Sequence, residues 1–324
     1  MDGGRQSLRN FWHPLALASE VADKPIGRTL LDTPLVLWRS AAGVHAMQDQ
    51  CVHRGTQLSL GWIEQGELVC PYHGWSFARD GRVTRIPACP PDLPIPSKAR
   101  VPGFLCQERY GVVFVCLGTP ARPLYEVPEF EDAAFKTHIL GPVYWKTSAE
   151  RNFENFIDEA HLPWVHSGLL GNRQNVPLIP ARKLIDRDWG FYFDYQSECR
   201  DRLDPAKSTL SLLTYDVLLA YELYHENVTP QGERVIDLFF CIPISATESA
   251  RLMIVARNFG LGEASQKFAD FTLNVWEQDR VLIESQRPVA VARDPQEELH
   301  VGGADVPSVR YRRMLRLLRD FTAN

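Results

Sequence analysis

Cys51-Val52-His53-Arg54-Gly55 and Cys70-Pro71-Tyr72-His73-Gly74-Trp75 decide how the first third of this chain is read. Together they spell C-x-H-x16-C-x2-H, a Cys/His pair on each of two loops. Thiolates and imidazoles grouped at short spacing bind a soft or borderline metal centre. A zinc ion would take all four ligands in one tetrahedron. A two-iron, two-sulfur cluster can instead take both thiolates on one iron and both imidazoles on the other, which raises its potential above that of an all-Cys cluster. Zinc fingers more often pair Cys with Cys and His with His. One Cys and one His per loop lets both loops straddle the same two irons, so the spacing favours the cluster and leaves zinc as the alternative.

The sequence around these loops reads as short strands. Residues 29–31, 35–39 and 43–47 are apolar runs broken by Pro34, Gly43 and Asp49. Residues 61–69 and 75–83 continue in that style, with Asp80-Gly81 as a hairpin signal. The proline-rich stretch 87–96 reads as a covering loop, because proline donates no ladder hydrogen bond. Strands at 104–108 and 111–117 close the unit, and Gly118-Thr119-Pro120-Ala121-Arg122-Pro123 marks a boundary. Residues 7–21, with Phe11, Trp12, Leu15 and Leu17, are expected to form a short helical or turn-like lead-in. The whole is a small antiparallel β domain over residues 1–118.

Residues 119–324 change character. An extended stretch at 135–148 leads into a helical pattern at 149–160. Strands are expected at 190–196, 210–226, 235–243 and 251–258, and helices at 264–284 and 308–321. The fold class is therefore α+β: an N-terminal antiparallel β domain, then a helix-grip-like domain in which helices cover an antiparallel sheet.

Composition excludes several function classes. The 324 residues are 45% hydrophobic and 23% charged, ordinary for a soluble globular protein. A net charge of −5 argues for neither a nucleic-acid partner nor a polybasic membrane patch. The apolar runs are strand-sized, too short to span a membrane, and residues 1–9 lack the apolar core of a signal peptide. Seven cysteines, an odd number with two already in the cluster motif, suit a reducing cytoplasm.

A second metal stretch lies at residues 152–166, N-F-E-N-F-I-D-E-A-H-L-P-W-V-H. Asn155, Asp158 and His161 at i, i+3 and i+6 would share roughly one helix face. His166 falls about 140° further round an ideal helix, and Pro163 forbids a regular helix between them. A break there can bring the two imidazoles together. Taken alone, two His near a helix end are more often surface or capping groups. Two His with one distant carboxylate, however, make the facial triad of non-haem Fe(II) oxygenases. Asp279, in Trp276-Glu277-Gln278-Asp279-Arg280, is the best third ligand, and spacing alone does not separate it from Glu277 or Glu284.

The cluster motif, then N-x-x-D-x-x-H-x4-H at residues 155–166, then E-x-D-x4-E at residues 277–284, resembles the oxygenase component of Rieske non-haem iron oxygenases. The likeness covers nearly the whole chain. It is strongest to the shorter homotrimeric members of the vanillate and dicamba O-demethylase and saxitoxin-pathway hydroxylase type. Residues 106–111 (Cys-Gln-Glu-Arg-Tyr-Gly) and 284–288 (Glu-Ser-Gln-Arg-Pro) fit the last group. The resemblance implies a Rieske [2Fe–2S] cluster with Cys51 and Cys70 on one iron and His53 and His73 on the other. It implies a mononuclear Fe(II) held by His161, His166 and Asp279, with Asp158 linking the two centres and Asn155 close to the iron. It also implies electron transfer between subunits of a three-membered ring, closed by head-to-tail interfaces.

The reaction so implied uses O2 to hydroxylate or oxidatively demethylate a small ring-containing substrate. The alternative is a ring cis-dihydroxylating dioxygenase, against which the short chain speaks. No dinucleotide fingerprint, flavin site or plant-type cluster motif is present to take electrons from NAD(P)H, so an external reductase, alone or with a ferredoxin, is expected. Two readings from other classes compete. A Rieske electron carrier would need no second site and some two hundred residues fewer. A zinc-stabilised binding module would lack an iron–sulfur spectrum. His225 and Arg257 are the polar candidates for substrate contact within the expected pocket strands.

Overall fold

Short β-branched and aromatic runs separated by turn residues build the first unit, Arg9–Leu124, in the computed structural model, which describes residues 7–200, 207–292 and 294–318. Its strands are β1 (His13–Leu17), β2 (Ile26–Leu30), β3 (Thr33–Ser40), β4 (Gly43–Gln48), β5 (Trp62–Glu64), β6 (Glu67–Val69), β7 (Ser76–Phe77), β8 (Val83–Arg85), β9 (Gly103–Arg109) and β10 (Val112–Cys116). They form a six-stranded antiparallel sheet, β1-β10-β9-β4-β3-β2, and a four-stranded one, β5-β6-β7-β8. Trp38, Leu58, Leu68, Phe77 and Val83 share one buried cluster with Cys51 and Cys70, so both thiols rest on an apolar floor.

One expectation is corrected here. Residues 7–21 hold a strand, β1, between 3-10 turns at Leu8–Asn10 and Ala18–Glu20. Positions 13–16 are all buried, so the alternation that marks a half-exposed strand is absent. Pro14 donates no ladder hydrogen bond, and the partner β10 lies far along the chain, with the register shifting between Pro14 and Ala16.

The second unit, from Tyr125 onward, contains one seven-stranded antiparallel sheet. Its strands are β11 (Lys136–Trp145), β12 (Ile185–Arg187), β13 (Gly190–Arg200), β14 (Ser208–Leu218), β15 (Glu222–Val228), β16 (Arg234–Pro243) and β17 (Ser249–Arg257), in the order β11-β17-β16-β15-β14-β13-β12. The helices are α1 (Ala149–Ile157), α2 (Leu162–Val165), α3 (Ser265–Ile283) and α4 (Val306–Leu315). Every position of β17, and all but the first of β16, is buried, so both faces of the sheet centre are covered. On one face Phe239 of β16 stacks on Phe156 of α1 with ring centroids 3.4 Å apart, and meets Trp276 of α3 at 6.1 Å.

The run expected at 210–226 is two strands, β14 and β15. Their turn passes through Leu219, Ala220 and Tyr221, with Tyr221 at φ 62, and carries no Gly, Pro or Asn to announce it. The last helix ends at Leu315. Residues 319–321 of the helix expected there, like residues 1–6 of the N-terminal segment, lie outside the described residues. No described helix is long and apolar enough to cross a membrane.

Candidate metal centres

Each cluster loop turns back on its own cysteine. Gly55 N–H donates to Cys51 O at 2.9 Å, and Gly74 N–H to Cys70 O at 3.0 Å. Both glycines sit at positive φ, +75° and +70°, so the Gly in each motif answers a backbone demand. A Cβ at Gly74 would also press on Pro87 at 3.2 Å, which places the proline-rich stretch against this loop. Burial pushes the Cys51 thiol up, and the neighbouring Cys70 adds to the shift. His53 and His73 turn their Nδ1 atoms towards each other at 3.1 Å, and His53 stacks on Trp75 at 4.5 Å and 4°. At most one proton fits between two such nitrogens. Two buried thiols and two converging imidazoles are a donor set that fits a [2Fe–2S] cluster of the mixed kind.

The second set is assembled by a broken helix. Ser148 caps α1, its hydroxyl accepting from Arg151 N–H at 3.3 Å. The helix ends at Ile157, because Asp158 adopts extended backbone angles (φ −95°, ψ 118°) and accepts the Ala160 N–H at 2.7 Å on Oδ1. The single helix face expected through Asn155, Asp158 and His161 is therefore interrupted. The break comes at Asp158 rather than at Pro163, which sits harmlessly in the first turn of α2. His161 and His166 bracket that one short turn, and their rings lie 5.2 Å apart.

Asp279 comes up from α3 to meet both. Its Oδ1 lies 3.5 Å from His161 Nε2 and 3.0 Å from His166 Nε2, and one ligand atom from each of the three residues lies within 4.8 Å of the others. Asn155 Nδ2 reaches His161 Nε2 and Asp279 Oδ1 at 3.3 Å each, so these lone pairs point to one place. His166 Nε2 is buried without a hydrogen bond. An orphaned acceptor there, beside a carboxylate and a second imidazole, fits a divalent metal. On the far side of the His161 ring, Nδ1 stands 3.4 Å from Asp158 Oδ2. Glu277 and Glu284 are both ion-paired to Arg280, at 2.5 and 3.4 Å.

Sequence reasoning missed the groups that hold these ligands. Gln278 Oε1 accepts the Nδ1–H of His166 at 2.8 Å. Arg251, fully buried, donates to Asn155 Oδ1 at 2.7 Å, to Asp279 Oδ2 at 3.3 Å and to both the side-chain and backbone oxygens of Asn152. Its guanidinium carbon lies 3.6 Å from the centre of the Trp145 ring. Burial alone would raise the Asp279 carboxyl, but the Arg251 guanidinium beside it helps to hold that group below the usual carboxylate range. The available signal was an arginine opening the apolar run Arg251-Leu252-Met253-Ile254-Val255.

A family profile described as the Rieske [2Fe-2S] domain matches residues 11–104, and one described as the vanillate O-demethylase oxygenase C-terminal domain matches residues 145–320. Methylxanthine N1-demethylase NdmA of Pseudomonas putida is 32% identical, over 98% of this chain and 90% of that protein. The chain belongs to the Rieske oxygenases. The solved structure of Pseudomonas putida NdmA with caffeine superposes on this oxygenase with a TM-score of 0.85 and 29% identity, over 94% of this chain and 89% of that one. Dicamba monooxygenase bound to dicamba shares the fold at a TM-score of 0.80, over 96% of this chain and 98% of that one, at 23% identity.

The two remaining sequence candidates in this oxygenase have different surroundings. His225 on β15 donates its Nδ1–H to Asp237 Oδ2 on β16 at 3.1 Å. Arg257 is fully buried against Phe268 and donates to the backbone carbonyls of Phe259, Gly260 and Glu263, which ties down the loop after β17.

Proposed function

We propose that this oxygenase uses O2 and electrons from a separate NAD(P)H-dependent reductase, with or without a ferredoxin, to demethylate or hydroxylate a small ring-containing organic compound. Cys51, Cys70, His53 and His73 would hold the Rieske cluster of the first unit, and His161, His166 and Asp279 a mononuclear Fe(II) in the second. The convergence of His161, His166 and Asp279 carries this reading, because a two-His, one-carboxylate set leaves coordination positions open. When bound, such an iron supplies the O2 activation. Two methylxanthine demethylases of Pseudomonas putida, 32% and 28% identical, favour demethylation.

The protein's own part is positional. By accepting the Nδ1–H of His166, Gln278 puts the free lone pair on Nε2, where a metal needs it. Asp158 faces His161 Nδ1 and still exposes 37% of its side chain, so it can meet a group arriving from outside this unit. That suits a carboxylate joining the ring of His161 to a cluster imidazole of a neighbouring subunit in a homotrimer. Phe156, Phe239 and Trp276 exclude water around Asn155 and Asp279. A cytoplasmic setting would keep the five cysteines outside the cluster motif reduced.

The test is iron content. The wild type should carry three irons per chain, two of them in a cluster with a visible spectrum, and should consume O2 faster when substrate and a surrogate reductase are supplied. A protein that binds only the cluster iron and never reduces O2 would be an electron carrier instead.

A further inference from the structure

His225 stands on the same sheet face as the candidate iron ligands. Register carries one row across the sheet from Tyr215 through His225 and Asp237 to Val255. Two residues along β16 from Asp237 is Phe239, and two further is Cys241, which pairs with Arg251. Side chains two apart on a strand share a face. Phe239 packs on Phe156 beside Asn155, and Arg251 holds Asp279, so this face is the one turned to the His161–His166–Asp279 set.

A second line of contacts reaches His225 from the other side. Glu159, next to Asp158, pairs with Arg182 through both carboxylate oxygens, at 2.9 and 2.5 Å. The Arg182 guanidinium lies 3.7 Å over the ring of Tyr195, whose hydroxyl meets that of Tyr215 at 3.3 Å. The Tyr215 ring then contacts the His225 ring edge-on at 4.7 Å. His225 is thus joined to the neighbourhood of the candidate iron along the sheet and along this aromatic line.

Two features of the region define what it can recognise. Because a carboxylate only accepts, Asp237 takes the Nδ1–H of His225 and leaves an acceptor lone pair on Nε2. Among the described residues that nitrogen has no partner, and the half-buried ring keeps it reachable. The charges here are also disposed against an anion: neutral His225 leaves the Asp237 carboxylate negative, Arg182 is paired with Glu159 and Arg251 with Asp279, and Arg257 and Lys136 donate to backbone carbonyls. An anionic group placed at His225 Nε2 would face a lone pair with the Asp237 carboxylate behind it.

Resting on the oxygenase reading above, we infer that the substrate is an uncharged ring compound carrying an N–H or O–H, which it donates to Nε2 of His225, and that the His225–Asp237 pair selects it over a carboxylate. Tyr195 and Tyr215 share one hydrogen bond between two hydroxyls, so one O–H remains to serve an acceptor on the same molecule.

The experiment uses the holoenzyme with a surrogate reductase and matched probes: 4-methoxybenzamide, its N,N-dimethyl derivative and 4-methoxybenzoate, and the same three forms of an N-methylated heterocycle. The expected order of substrate-stimulated O2 uptake places the N–H compounds first, and for the preferred one His225→Ala raises KM about tenfold, the worth of one lost hydrogen bond. His225→Gln, which keeps an acceptor, should recover part of that loss. Cluster spectrum and iron per chain are read in each variant to separate a binding defect from an unfolded protein. Preference for the carboxylates, equal response to the N,N-dimethyl compounds, or an unchanged KM in His225→Ala would overturn the inference and leave the oxygenase reading standing. Failure of the reduced enzyme to pass electrons to O2 with any compound would count against the oxygenase reading itself.

Discussion

His166 donates its Nδ1–H to Gln278 Oε1 across 2.8 Å, and Gln278 immediately precedes Asp279, the carboxylate facing the other nitrogen of the same ring. One short piece of α3 therefore sets both the tautomer of the imidazole and the group beside its free lone pair. Groups that orient a ligating imidazole in this way are worth about 10- to 100-fold in metal affinity. Gln278→Leu should weaken Fe(II) or Co(II) binding at the second site by that factor, measured by anaerobic titration. Gln278→Glu, which retains an acceptor, should bind more nearly like wild type. Equal affinity in the leucine variant would remove the tautomer argument.

The choice of carboxylate is open to a direct check. Asp279→Ala is expected to lose the mononuclear iron and to keep the cluster, whose donors lie in the other unit. Glu277→Ala and Glu284→Ala should keep both, since those carboxylates are paired to Arg280, and Glu284 also accepts the Lys146 N–H at 2.9 Å. Iron per chain is the measurement, with the visible cluster spectrum as the internal control. Mononuclear iron retained in Asp279→Ala together with turnover would mean the ligand has been misassigned.

Asp158→Asn should retain both metals and lose nearly all turnover. The carboxylate stands 3.4 Å from the outer nitrogen of His161 and does not reach the converging lone pairs. An amide of the same shape keeps the turn onto Ala160 N–H but carries no charge to stabilise a protonated or metal-bound imidazole. Single-turnover reduction of the second iron by the cluster is the step to follow. Wild-type rates in the asparagine variant would end the linking role.

The difference between what the sequence disclosed and what it concealed lies in how local each signal is. The cluster loops were legible because Cys, His and Gly sit within five residues and the turn itself demands the glycine. The α+β layering was legible from apolar runs such as 235–243, which becomes β16 almost residue for residue. The end of α1 was not, because the helix-breaking device is the Asp158 side chain binding its own backbone, and Pro163 was the more conspicuous breaker. Asn152, Arg251 and Gln278 escaped notice for another reason. They meet the ligands only after strands and helices far apart in sequence are packed together, and no spacing rule connects them.

Arg251 gives the last prediction. Its guanidinium touches Asn152, Asn155 and Asp279 together, and it does so with no exposed surface. Burial pulls its pKa down, to about 10, with Asp279 drawing it back up, so it stays charged at neutral pH. Taking away one partner of such a buried pair costs about 3–5 kcal/mol, because the other charge is left without compensation. Arg251→Met should therefore lower the stability of the metal-free protein by about that much, less if water reaches Asp279. A divalent metal bound at the site would restore part of the missing positive charge. The stabilisation gained on adding Co(II) should thus be larger in Arg251→Met than in the wild type. Arg251→Lys separates charge from shape: an ammonium can answer Asp279 but cannot hold both asparagines with a planar fork. It is expected to recover stability and leave Asn155 loose, with metal affinity between the other two. Thermal unfolding with and without Co(II) reads all three proteins. An equal Co(II) effect in wild type and Arg251→Met would show that Arg251 does not compensate the Asp279 charge.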